Sequence, residues 1–396
     1  MNQRPLLQNL LLAISLLVCF SNVNILICSP PQIEEALIEQ GFENIAIHED
    51  ISQVVVTYEN RIYRYEVHAL QEAIQIVRAY ISRKNIVIII QHKGIPITAI
   101  IGQYNNIGDY SWNATFNVGP YWNMLKHKEK KSLSFHKLDI VLYPQIKAQF
   151  GNYDDPVESQ LNLAPALETT LWQGASLMLQ WIIPLQNELD NEGDQSRPGL
   201  LTLKQELRLP YNIFASATTG YFTQHRYGLD IEILKLWANG RWMLSGNVGY
   251  TGHACYLDKT WYYSNLDRWT WFLSGAYRFM NLDFTIQTTY GQFLYGDKGW
   301  RLDFSRQFGE VNVGFFVLKT EDGRNGGFNF SIPIFPMRRL KSYWIRISPE
   351  AYFPYEYRYR GLPNCGRRHK TGNQLDNFYK TWKASVIIDQ SNSNLK

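Results

Sequence analysis

Few residues in this sequence are spaced for catalysis. Ser134 and Lys137 stand three apart, as a nucleophile and its base would, but no second motif accompanies them in a strand-like stretch, so a chance match explains them. His253 and Cys255 offer two metal donors one residue apart, whereas a closed zinc site needs four; an ordinary turn accounts for them. The adjacent acids Asp154-Asp155 and Glu34-Glu35 fit a solvated turn and a helix surface, because glycoside hydrolysis needs two carboxylates facing each other across a cleft. No Gly-x-Ser-x-Gly, no phosphate-cradling glycine loop, no His-Glu-x-x-His and no Cys-x-x-Cys occurs. The expectation is a non-enzymatic protein that needs no metal or cofactor. Asn113-Ala114-Thr115 fits a glycosylation sequon, but it lies in an alternating strand and is set aside.

A second set of charges falls on alternating strands. Lys204, Glu206 and Arg208 share one segment, Asp230 and Glu232 a second, Asp283 a third, and Arg301, Asp303 and Arg306 a fourth. The segments that carry them, such as Leu201 to Leu209, Leu229 to Ile233, Leu282 to Tyr290 and Trp300 to Ser305, alternate apolar with polar residues. Glycine, Asp and Asn punctuate the gaps, as in Asn239-Gly240 and Asp322-Gly323-Arg324-Asn325-Gly326-Gly327. Alternation starts after Gly108, with Trp112 to Val118 read as its first strand, and continues through residue 360. It predicts about 12 to 14 strands, more than an open sheet holds without curling or splitting.

Alternation leaves open which face is wet. An outer-membrane barrel turns its apolar face to lipid and its polar face to a lumen; a soluble sandwich does the reverse. Three features favour the barrel. Whole charges on the polar face suit a hydrated lumen, and aromatics such as Trp237, Trp242, Trp261, Trp269, Trp271 and Trp344 recur near strand ends as interfacial girdles would. Strands of about 9 to 11 residues with loops of unequal length also fit. The alternative is a secreted carbohydrate-binding β-sandwich that uses Trp and Tyr as sugar platforms.

Ahead of this region, residues 30–104 read as a small α/β module. Ile33, Leu37 and Ile38 mark a helix stopped by Gly41, Val54 to Tyr58 and Ile62 to Tyr65 a hairpin, Leu70 to Ile81 a second helix, and Ile86 to Ile101 a second hairpin. Residues 1–29 have the layout of a secretory signal peptide, with an uncharged run from Leu10 to Phe20 after Arg4. Residues 361–396 form a polar C-terminal segment, in which Thr381 to Ile388 could supply a last strand. Of the four cysteines, Cys255 and Cys365 clearly remain after export; one bridge or two free thiols are both compatible with their spacing.

The 396 residues include 45% hydrophobic and 19% charged residues, with 12 Trp and 25 Tyr. Mean hydropathy is -0.27, and no apolar run after the first 30 residues approaches the roughly 20 needed for a membrane helix. A net charge of +4 without a long Lys/Arg block gives no case for a nucleic-acid partner.

The alternating region resembles the YjbH/GfcD-like family of exopolysaccharide and capsule biosynthesis proteins. The likeness runs through Asn152-Tyr153-Asp154-Asp155-Pro156, Trp172-Gln173-Gly174-Ala175, Trp181-Ile182-Ile183-Pro184-Leu185 and Tyr250-Thr251-Gly252-His253. It continues in Leu294-Tyr295-Gly296-Asp297-Lys298-Gly299, Leu302 to Gly309, Val313-Gly314-Phe315-Phe316 and Gly326 to Ile334. The resemblance implies a bacterial outer-membrane antiparallel β-barrel over residues 109–360, preceded by a periplasmic module. It implies a role in making or exporting an extracellular or capsular polysaccharide, with outer-membrane lipid, the polysaccharide and other export proteins as partners. The alternating charges named above would then contact the polymer in the lumen, or hold strand register in a plugged barrel. The chain is shorter than the longer family members, with one module and one barrel.

Overall fold

The computed structural model describes residues 30–105, 108–150, 157–189, 194–341, 344–359 and 364–375. The expected signal peptide and the expected strand over 381–388 lie outside them. Helix α1 (Pro30–Gln40) ends at Gly41, whose φ of +96° favours glycine; a Cβ there would also meet Ile62 Cδ1 at 1.8 Å. Strands β1 (Glu43–Glu49) and β2 (Gln53–Glu59) pair antiparallel across a turn closed by Asp50, which accepts from the amides of Ser52 (2.8 Å) and Gln53 (2.9 Å). Helix α2 (Glu66–Tyr80) carries the chain to β3 (Asn85–His92), parallel to β2. Strands β4 (Ile95–Tyr104) and β5 (Tyr110–Thr115) complete the order β1-β2-β3-β4-β5. The Val and Ile runs of β2, β3 and β4 are buried on both faces, one against α1 and α2 and the other against α3 (Gly119–Leu125).

Two expectations are corrected here. Ile62 to Tyr65 is not a hairpin strand, because Asn60 Oδ1 accepts from the amides of Ile62 and Tyr63 and turns the chain toward α2; the antiparallel partner of β2 is β1. The module also runs past residue 104. Trp112 to Val118 does not open the large sheet, since Ala114, Phe116 and Val118 are buried in the module's two cores and β5 registers on β4.

The second sheet begins at β6 (Leu138–Phe150), not at residue 109. It continues through β7 (Val157–Trp172), β8 (Ala175–Asn187), β9 (Arg197–Leu209), β10 (Ile213–Phe222), β11 (Arg226–Trp237) and β12 (Trp242–Leu257). Strand β13 (Thr260–Tyr263) pairs with β12 off the main path. Then follow β14 (Arg268–Phe279), β15 (Phe284–Gln292), β16 (Lys298–Phe308), β17 (Val311–Thr320), β18 (Gly323–Pro333), β19 (Ile345–Pro349) and β20 (Tyr352–Arg358). The chain is mainly β, as expected, and among the described residues fifteen strands share this sheet.

From β6 to β18 every neighbour along the path is antiparallel. At the two ends, β19 lies parallel to β6 and β20 antiparallel to β18. Only Glu350 and Ala351 separate β19 from β20, so one stretch, 345–358, reaches both ends of the sheet.

Burial on this sheet is inverted relative to a soluble sandwich. On β9 and β11, Leu203, Leu207, Leu229, Ile231 and Ile233 are 41–51% exposed, whereas the alternate Lys204, Glu206, Asp230 and Glu232 are at most 5% exposed. The polar face therefore looks inward. Toward the short turns its lining becomes apolar, and Phe214, Leu234, Leu236, Met243 and Ala276 join the module's core. That burial seats the module on one end of the large sheet.

Candidate functional site

The joint between module and sheet is charged around an apolar centre. Arg64 grips Glu310 through Nε (2.7 Å) and Nη2 (2.8 Å) and donates to the Ile334 carbonyl at 2.7 Å. Asp139 on β6 takes Arg61 from the module and Arg346 from β19, the latter at 2.6 Å. Arg346 also faces Glu43 at 3.4 Å. Such bidentate and shared guanidinium contacts fix orientation as well as position.

The alternation of β9, β10 and β11 gathers the inner charges. Lys204 lies 3.4 Å from Glu206 and 3.7 Å from Glu232. Lys93, at the tight turn between β3 and β4, enters from the module to bond Glu206 at 3.0 Å and Ser176 at 3.0 Å. His92 stands 3.8 Å from Glu206, but burial pulls its imidazole down to about 4. It is neutral at pH 7, and the two lysines supply the positive charge. Arg208 is spent on the module, donating to the carbonyls of Pro96, Ile97 and Phe116. Asp230 accepts from Asn247 at 2.8 Å and faces His369 Nε2 at 2.8 Å.

A second cluster lies on β16 and β20. Arg301 bonds Asp303 (2.7 Å) and Glu356 (2.9 Å) while its guanidinium lies 4.0 Å from the centre of the Phe316 ring. Arg358 bonds Glu356 at 2.6 Å.

Two expected site residues sit elsewhere. Arg306 has the opposite parity to Arg301 and Asp303, pairs with Phe284 and Val313, is exposed, and stacks 4.8 Å from the Phe308 ring on the outer face. Asp283 belongs to a turn, with φ +50°, and pairs with the fully buried Arg278. Asp283 lies where strand periodicity ends, whereas Arg306 follows the parity of β16 to its outer face.

The structure adds residues that the sequence reading passed over. Glu356 and Arg358 alternate with Tyr355, Tyr357 and Tyr359, a legible pattern, but Lys93 and His369 arrive from outside the sheet. His369 belongs to a strap, 364–375, that runs through the interior. Its Cys365, His369, Thr371 and Leu375 are buried, so the expected polar segment is, over these residues, an internal one. Cys365 and Cys255 are both free thiols. Among the described residues no group of three or more His, Cys, Asp or Glu is placed to hold a metal ion, and no helix is long and apolar enough to cross a membrane.

None of the curated proteins matches the chain. Among solved structures, a loop L8 deletion mutant of OmpT, an outer membrane protein of Vibrio cholerae, aligns at 8% identity with a TM-score of 0.30, covering 49% of this chain and 86% of that one. Residues 199–338, which hold nearly all of β9 through β18 and every inner-wall charge expected from the sequence, match the YjbH family model, described as exopolysaccharide biosynthesis protein YbjH.

Proposed function

We propose that this protein is a non-enzymatic outer-membrane β-barrel that assists biosynthesis or export of an extracellular polysaccharide. The observation that carries the location is the inverted sheet, apolar outside and charged inside, which is stable in lipid and costly in water. Support for closure is the 345–358 stretch, which pairs with both ends of the sheet and satisfies edges that lipid cannot. The polymer class comes from the YjbH-family segment. The module then lies in the periplasm, where it can meet other export proteins, and the inner Lys, Asp and Glu side chains bond sugar hydroxyls.

Fractionation tests the reading. The expressed protein is expected in the outer membrane, with a mobility shift between boiled and unboiled samples on a denaturing gel. Deletion of its gene is expected to reduce surface polysaccharide. Soluble recovery without a shift would reject the barrel and favour a secreted glycan-binding sandwich.

A further inference from the structure

The strap bonds the inner wall chiefly through its peptide groups. Its entry is held by Gly366, whose amide donates to Asp297 at 2.9 Å and whose carbonyl accepts from Arg358 at 3.1 Å. Backbone pairing continues between Leu294 and Arg367 (3.0 Å) and between Thr223 and Lys370 (3.1 Å). Deeper, the carbonyl of Asn373 accepts from Lys204, and the amide of Leu375 donates to Glu232 at 3.1 Å. Neutral donors and acceptors thus occupy the same charged side chains that alternation places on the lumen wall.

The fit is incomplete. Thr218 stands beside both Lys204 and Asp230 on the wall, and its fully buried hydroxyl has no partner; neither do those of Thr270 and Thr371, nor Nδ1 of His369. Buried polar atoms left this way cost about 1–3 kcal/mol each. A cavity of about 40 Å³ is lined by Thr371 and Asn373 of the strap together with Lys93, Ser176, Thr202 and Lys204. The wall therefore offers more hydrogen-bonding positions than the strap fills.

We propose that Lys204, Asp230 and Glu232 form a subsite for the hydroxyls of a neutral sugar unit, and that strap 364–375 occupies it as an intramolecular substitute. Carboxylates accept hydrogen bonds from sugar hydroxyls and Lys204 donates to sugar oxygens, while Asp230 and Glu232 together repel a uronate. Binding of the glycan and seating of the strap are then mutually exclusive. The inference deepens the polysaccharide reading above and rests on it.

The test uses full-length protein in detergent, checked first for heat-modifiability, so that a failed barrel is recognised separately. The probes are neutral cello- and chito-oligosaccharides, with oligogalacturonates for comparison. A neutral oligomer is expected to bind and to speed amide hydrogen exchange across 364–375 at least about tenfold, leaving β9 to β11 protected. His369→Ala loosens the strap and should tighten that binding by about tenfold, because a competitor held at the site lowers apparent affinity by its occupancy. Asp230→Asn with Glu232→Gln should weaken it in a protein that still shifts on the gel. Absence of binding by every neutral oligomer, unchanged strap exchange, preference for the uronate, or unchanged affinity in His369→Ala would each overturn the proposal.

Discussion

Glu66 shows how burial makes a single module side chain sensitive to pH. Its carboxyl accepts from the Tyr58 hydroxyl at 2.9 Å and from the Asn60 amide at 2.8 Å, yet burial, with Glu59 nearby, pushes it up to about 8. The folded module thus keeps a proton that the unfolded chain releases near pH 4. Its contribution to stability is fully present below that value and is lost as pH rises through about 8. Thermal unfolding followed through α2 amide exchange should show Glu66→Gln flattening the fall in stability between about pH 5 and 9, an effect on the order of a few kcal/mol. An equal fall in both proteins would remove Glu66 as its cause. At this scale the sequence was legible where period two held. Lys204, Glu206, Asp230, Glu232, Arg301 and Asp303 all face inward, as their parity implied. Arg306 and Asp283 did not follow, one having the opposite parity and the other falling in a turn.

Between elements, contacts across long separations matter most, and these were least visible in the sequence. The module docks because β10, β11, β12 and β14 end in inward apolar side chains while Arg64, Arg61 and Arg346 tie the rim. Arg64 and Glu310 lie 246 positions apart, and no local pattern announces such a pair. A double-mutant cycle on Arg64→Ala and Glu310→Ala should return a coupling of about 1–3 kcal/mol in module release or local unfolding. Additive effects would mean that the Arg64–Glu310 pair does not help to hold the joint. The extents of α1, α2 and the β3-β4 hairpin were legible from periodicity and from Gly41. The assignment of β5 and α3 to the module was not, because Trp112 to Val118 alternates like any strand of the larger sheet and only its burial separates them.

For the whole molecule, the deciding property is which way the alternation faces, and sequence order alone cannot supply it. Ile231 lies in the middle of β11 on the exposed apolar face. In a bilayer, Ile231→Arg should cost about 2–4 kcal/mol if it lies near the midplane and reduce the heat-modifiable fraction; in water the same exchange would be close to neutral. Equal yield and equal gel shift for the variant would argue against lipid on that face. The parallel pairing of β19 with β6 carries a further consequence. Twelve antiparallel passes from β6 to β18 return the chain to the module's end, and the stretch 345–358 then crosses a thirteenth time. An odd number of crossings puts Arg358 at the end of the sheet opposite the module, and strap 364–375 has Cys365, His369, Thr371 and Leu375 buried. In the barrel proposed above, the 345–358 stretch seals a ring around strap 364–375, and assembly acquires an order: the strap must be inside before, or as, the seam zips shut.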